Sequence, residues 1–107
     1  MKPLLVLSTA PSLEVAKTLA KALLARKLAA CVSLQEGVTS LFEWEGALQE
    51  ETEVMLMIKT KDALFEELKT TLCALHPYEV PEIIALEISK GHHPYVQWID
   101  SLTKDTL

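Results

Sequence analysis

Three glycines in 107 residues leave no Gly-rich loop to cradle a phosphate, which excludes the nucleotide-binding motifs that depend on one. Cysteine is as scarce. Cys31 and Cys73 stand alone without CxxC spacing, so neither a zinc ribbon nor a disulfide framework is expected, and both read as small buried hydrophobes in a reducing compartment. No apolar run reaches the roughly 20 residues that cross a bilayer. The opening Met1–Leu7 is too short for a signal peptide and is soon followed by the charge of Glu14. Ten basic residues against 15 acidic ones give a net charge of −5, with no basic stripe for nucleic acid. Repeats, linkers and low-complexity segments are missing too. The expectation is a cytoplasmic protein with no membrane or nucleic-acid partner.

What is plentiful is apolar surface. Half of the residues are hydrophobic and the mean hydropathy is +0.22. The length allows one domain, 1–107, with one core. A chain this small buries only about two-thirds of its unfolded surface, so some of the apolar excess is expected against another subunit.

Leu4 to Ser8 reads as a central strand, and Ser12 as the N-cap of a helix over Leu13–Lys27 with Leu13, Ala16, Leu19, Ala20, Leu23 and Leu24 on its apolar side. A strand follows from Ala29 to Leu34. Gln35-Glu36-Gly37 signals a turn or bulge, after which Val38–Trp44 resumes strand composition. Glu45-Gly46 turns the chain into a strand over Leu48–Thr60. This two-stranded ribbon is longer than a small sheet needs, so it projects or is shared between subunits. Asp62 is expected to cap a second helix with the stripe Leu64, Phe65, Leu68, Leu72 and Leu75. A strand over Ile83–Ile88 and a short helix opened by His92-His93-Pro94, with Tyr95, Trp98, Ile99 and Leu102 on its apolar side, complete the chain. The order β-α-β-β-α-β plus a C-terminal helix predicts an α+β, ferredoxin-like antiparallel sheet with both helices on one face. The uncovered apolar face predicts a closed ring, most simply a homotrimer.

The densest chemistry lies in His76-Pro77-Tyr78-Glu79-Val80-Pro81-Glu82. Two prolines fix the backbone and push His76 and Val80 towards extended geometry, ending the preceding helix at about Leu75. A rigid polar corner of this kind, between a helix and a core strand, points to binding or packing.

Ser8-Thr9-Ala10-Pro11, Leu28-Ala29-Ala30-Cys31-Val32, Thr39-Ser40, Trp44-Glu45-Gly46, Lys59-Thr60, the His76–Glu82 corner and Tyr95-Val96-Gln97-Trp98-Ile99 occur here in one order and spacing. In these the chain resembles the CutA divalent-cation-tolerance proteins over essentially its full length. The resemblance implies a tight ferredoxin-like homotrimer with ribbons crossing subunit boundaries. It also implies a role in tolerance of copper and other divalent ions. Some members bind copper through a cysteine at the end of the first strand and paired histidines before Pro-Tyr. The matching positions here are Ser8 and Leu75-His76, so one of three ligands is retained.

His76 is the leading metal-ligand candidate, with Glu79 or Glu82 as oxygen donors. Its alternative role is a hydrogen-bonded residue at a helix end. Cys31 supplies a soft ligand if it faces a cleft, and core packing otherwise. His92 and His93 are adjacent and cannot share a helix face. Lys59, with Tyr78 and Glu82 converging on it, reads as a small-ligand site or a structural salt bridge. Trp44 reads as an interface anchor. No catalytic constellation is evident. The expectation is therefore a binding protein, with metal at His76, Cys31 and Glu82 and a ligand cleft at Lys59, Tyr78, Glu79 and Trp44. A trimer that signals in response to a small anionic metabolite, as in the nitrogen-regulatory PII proteins, is the alternative. An enzyme with His76 as general base oriented by Glu82 is the other.

Overall fold

Strand β1 (Pro3–Ala10) lies at the centre because its residues alternate between two apolar faces. The computed structural model describes residues 1–105. Helix α1 (Leu13–Ala25) follows β1, then β2 (Cys31–Trp44), β3 (Ala47–Lys61), a single 3-10 turn (Asp62–Leu64), α2 (Phe65–Leu75), β4 (Ile83–Glu87) and α3 (His93–Leu102). The strands form one four-stranded sheet in the order β2-β3-β1-β4, all neighbours antiparallel. This is the ferredoxin-like arrangement expected from the element order.

Register divides the sheet cleanly. Val6 opposes Ile58 and Ser8 opposes Leu56, and these even-numbered positions join Leu19 and Leu23 of α1 and Leu68 and Leu72 of α2 in one buried core. Both long helices therefore cover the same face. The odd-numbered positions Leu5, Leu7, Met55 and Met57, with Leu86 and Ile84 opposite Leu5 and Leu7, form the other face. Leu86 is 48% and Ile84 52% exposed in the single chain.

Ser12 caps α1 through its hydroxyl, which accepts from the Val15 amide at 3.2 Å. Asp62 does not cap α2. It opens the 3-10 turn instead, Leu64 occupies the N-cap position, and no side chain caps the helix. The turn lets Leu64 stay fully buried, and that packing outweighs a cap. Leu75, assigned to the apolar stripe, is 43% exposed. Helix α2 does stop there, and His76 is extended at φ −74°, ψ 137°. In α3 only Ile99 is buried, while Tyr95 and Trp98 stack at the surface with ring centroids 5.6 Å apart.

The segments expected as Ala29–Leu34 and Val38–Trp44 are one continuous strand, β2, interrupted by a bulge between Gln35 and Val38. Gly37 sits there at φ +75°, the left-handed conformation that glycine adopts without strain. The last β1 partner on β3 is Val54, opposite Ala10. Beyond it β2 and β3 pair alone from Val38↔Glu53 to Trp44↔Ala47. This ribbon turns at Glu45 (φ 51°) and Gly46 (φ 80°), the two left-handed residues of a type I′ hairpin.

Candidate functional site

The projecting ribbon and the corner after α2 enclose an open groove of about 940 Å³. One wall is the ribbon: Ser40, Phe42 and Trp44 from β2, with Gln49, Glu51 and Glu53 from β3. Ser40 opposes Glu51 and Phe42 opposes Gln49, so these side chains share a face. The floor is Thr9 near the end of β1 and Pro11 just beyond it, and the second wall is Pro77, Tyr78, Glu79, Val80 and Glu82. Four carboxylates thus line the groove among aromatic and aliphatic groups, and the lining includes no Lys, Arg or His.

The two walls are tied. The Tyr78 hydroxyl donates to Glu53 Oε2 at 2.8 Å, and Glu53 is only 6% exposed. Burial first, then the hydrogen bond to Glu53, then the negative charges of Glu53 and Glu51 push the Tyr78 phenol well above its ordinary range. A phenol that keeps its proton remains a donor, which holds the carboxylate in place.

His76 stands behind the groove and does not line it. It is 8% exposed. Nε2 lies 2.7 Å from the Thr9 carbonyl oxygen, and Nδ1 accepts from the Tyr78 amide at 3.1 Å. The rings of His76 and Tyr78 meet at 4.8 Å and 45°. One imidazole thereby bonds once to β1 and once to the backbone of its own corner.

Of the residues singled out in the sequence, Trp44, Tyr78, Glu79 and Glu82 come together in the groove. Lys59 and Cys31 do not join them. They oppose each other across β2 and β3 at the level of Leu5, whereas Glu53 lies beyond the end of β1. Convergence of Lys59 with Tyr78 and Glu82 fails within one chain because the strand separates the two ends. The Lys59 ammonium instead donates to Ser33 Oγ at 2.7 Å and to the Met57 carbonyl at 3.2 Å. Cys31 meets Tyr95 of α3, whose phenol is pushed up by burial first and then by the thiol beside it.

His76, Cys31 and Glu82 therefore do not fit one copper centre within a single chain. Among the described residues no three His, Cys, Asp or Glu side chains gather as a metal site, and both imidazole nitrogens already have partners. The Ser8 hydroxyl, at the strand-end position, points into the core with no hydrogen-bond partner.

Glu51 and Glu53 were not singled out by the sequence reading. The only signal for them was an acidic run, Glu50-Glu51-Thr52-Glu53, and alternation along β3 sends Glu51 and Glu53 to one side together.

A family model described as CutA1 divalent ion tolerance protein matches residues 4–102. The divalent-cation tolerance protein CutA of Thermus thermophilus is 49% identical over 94 residues, 88% of this chain and 91% of that protein. Protein CutA, chloroplastic, of Arabidopsis thaliana is 41% identical over 102 residues, 95% of this chain and 56% of that protein, so the chain spans just over half of the plant relative. The crystal structure of CutA1 from Oryza sativa superposes with a TM-score of 0.96 at 38% identity, covering 99% of this chain and 97% of that one.

Proposed function

This chain belongs to the CutA1 divalent ion tolerance family, and from that premise we propose that it serves divalent-cation tolerance as a homotrimeric binding protein rather than as an enzyme. All 107 residues act as one domain. The ligand is a divalent cation, copper among them, or a small molecule that carries positive charge, and it occupies the groove between ribbon and corner. The carrying observation is the set of Glu51, Glu53, Glu79 and Glu82 lining that groove without a basic side chain among them. Carboxylate oxygens attract cations by charge. No three of them gather as a metal site within one chain among the described residues, so a bound ion takes its remaining ligands from water or a neighbouring copy. Trp44, Tyr78 and Phe42 add aromatic faces, which favour a cationic group on an organic ligand.

Trimerisation is supported by the apolar sheet face and ribbon. Ile84 at 52% exposure on the open sheet face, and Leu48 at 77% and Leu41 at 63% on the ribbon, are large apolar side chains that a partner subunit would cover. Packing of one copy against the next turns each groove into a seam between subunits and brings Lys59 and Cys31 of one copy into reach of a neighbour's corner. A cytoplasmic setting suits the two free thiols, Cys31 and Cys73. No helix among the described residues is long and apolar enough to cross a membrane.

Sedimentation equilibrium at micromolar concentration tests the assembly, and a well-folded single copy overturns it. Calorimetric titration with Cu²⁺, Zn²⁺ and Mg²⁺ tests the groove. The double substitution Glu79→Gln and Glu82→Gln is expected to weaken cation binding at least tenfold with the trimer intact. Unchanged affinity refutes the groove as the site.

A further inference from the structure

We propose that His76 is a positioning residue and not a cation ligand: its ring pins the Pro77–Glu82 wall of the groove to β1. The two partners of the imidazole have fixed roles. A backbone amide can only donate and a carbonyl can only accept. Tyr78 N–H at 3.1 Å therefore requires the lone pair of Nδ1. The Thr9 carbonyl at 2.7 Å requires the proton on Nε2. A ligating histidine typically donates one ring N–H to a backbone carbonyl and presents the other nitrogen to the metal. Here the first half of that pattern is present, but the presenting nitrogen is capped by the chain itself. A cation can reach Nδ1 only after Tyr78 N–H is released and the buried residue, 8% exposed, is uncovered.

The consequence is a relay of contacts. Thr9 holds His76, His76 holds the Tyr78 backbone, and the Tyr78 hydroxyl holds Glu53 at the root of the ribbon. The groove is thus shaped before any ligand arrives. Its relevance to binding rests on the groove being the site proposed above.

Nitrogen-15 NMR of the imidazoles in the full chain, titrated with Zn²⁺ as a diamagnetic probe, decides the matter. The expected result is a His76 ring protonated at Nε2, with nitrogen shifts that stay constant through the titration. A proton on Nδ1, or a saturable Zn²⁺-dependent shift of either ring nitrogen, overturns the proposal. Amide exchange gives a second readout. His76→Asn keeps an acceptor near the Nδ1 position and is expected to leave the Tyr78 amide protected. His76→Gln can place its amide N–H near the Nε2 position, towards Thr9, but no acceptor at the Nδ1 position, and is expected to speed that exchange at least tenfold. Equal exchange in wild type and both variants overturns the latch. Zn²⁺ shifts absent from both the ring and the groove amides refute the groove as a cation site while supporting the His76 assignment.

Discussion

Tyr78 and Glu53 are 25 positions apart in sequence, yet the phenol donates to the carboxylate at 2.8 Å and closes the back of the groove. Glu53 is the first β3 residue of the ribbon beyond β1, opposite Val38. One hydrogen bond therefore connects the corner that follows α2 to the base of the projecting hairpin. Tyr78→Phe removes the donor and leaves a shielded carboxylate without a partner. The variant is expected to lose about 1–3 kcal/mol of stability, the range for orphaning a buried polar group. Urea unfolding measures it, and an unchanged midpoint sinks the assignment of this bond as structural.

Burial of two phenols, reinforced at Tyr78 by this bond, sets a pH dependence. Both Tyr78 and Tyr95 hold their phenolic protons more tightly in the fold than in the unfolded chain. Above the ordinary tyrosine value, about 10, the unfolded chain releases protons that the native state retains, so native binds more protons and stability falls as pH rises. The contribution is fully present below pH ~10. Unfolding midpoints at increasing alkaline pH should decline, and Tyr78→Phe and Tyr95→Phe should each flatten the decline. Identical slopes in all three proteins contradict the sign.

Ser8 presents the opposite situation. Its hydroxyl is fully buried and without a partner, so Ser8→Ala removes an unsatisfied group and almost no volume. Stability should rise by about 1 kcal/mol. A loss of stability on calorimetric melting would show that the hydroxyl has a partner after all.

The ribbon turn carries Glu45 at φ 51°. A left-handed conformation is unfavourable for most L-residues, and Asn tolerates it far better. Glu45→Asn creates the preferred Asn-Gly turn and is expected to stabilise the hairpin by on the order of 1 kcal/mol. Thermal unfolding that shifts downward would argue that the Glu45 side chain has a role of its own.

At the far end of the sheet, Lys61 Nζ meets Asp100 Oδ1 at 2.9 Å, with the lysine side chain 6% and the aspartate 49% exposed. Asp100→Ala strands a shielded ammonium where α3 packs on β3. The loss should fall below the roughly 3–5 kcal/mol of a fully buried pair, because the carboxylate is half solvated. Lys61→Met in the same background should recover part of it. Failure of the second change to help would place the damage in α3 packing instead.

Much of this was legible from residue order. Continuous apolar runs marked β1 and the centre of β3, Pro77 and Pro81 marked the corner, and Ser12 marked the start of α1, because each of these signals acts over a few residues. Asp62 misled, since a local cap preference yields to the burial of Leu64. The groove was legible only in half. Trp44, Tyr78, Glu79 and Glu82 stood out as types, but Glu53 enters through a pairing across 25 positions that no local pattern encodes. Within one chain Lys59 stands apart from the groove for the same reason: its strand was evident, but the end of β1 at Ala10, which separates it from Glu53, was not.

Gly37 has an effect out of proportion to its size. Before it, Cys31 faces Lys59 and Gln35 faces Met55, odd number to odd number. After it Ser40 faces Glu51 and Phe42 faces Gln49. Slipping in a lone amino acid has swapped front for back along the whole distal half of β2, carrying Phe42 and Trp44 to the carboxylate side and sending Glu43 away from it. Loss or gain of one codon at this point would leave every strand in place and turn the hairpin's inscription inside out, a change in surface chemistry achieved with no change in composition of the tip.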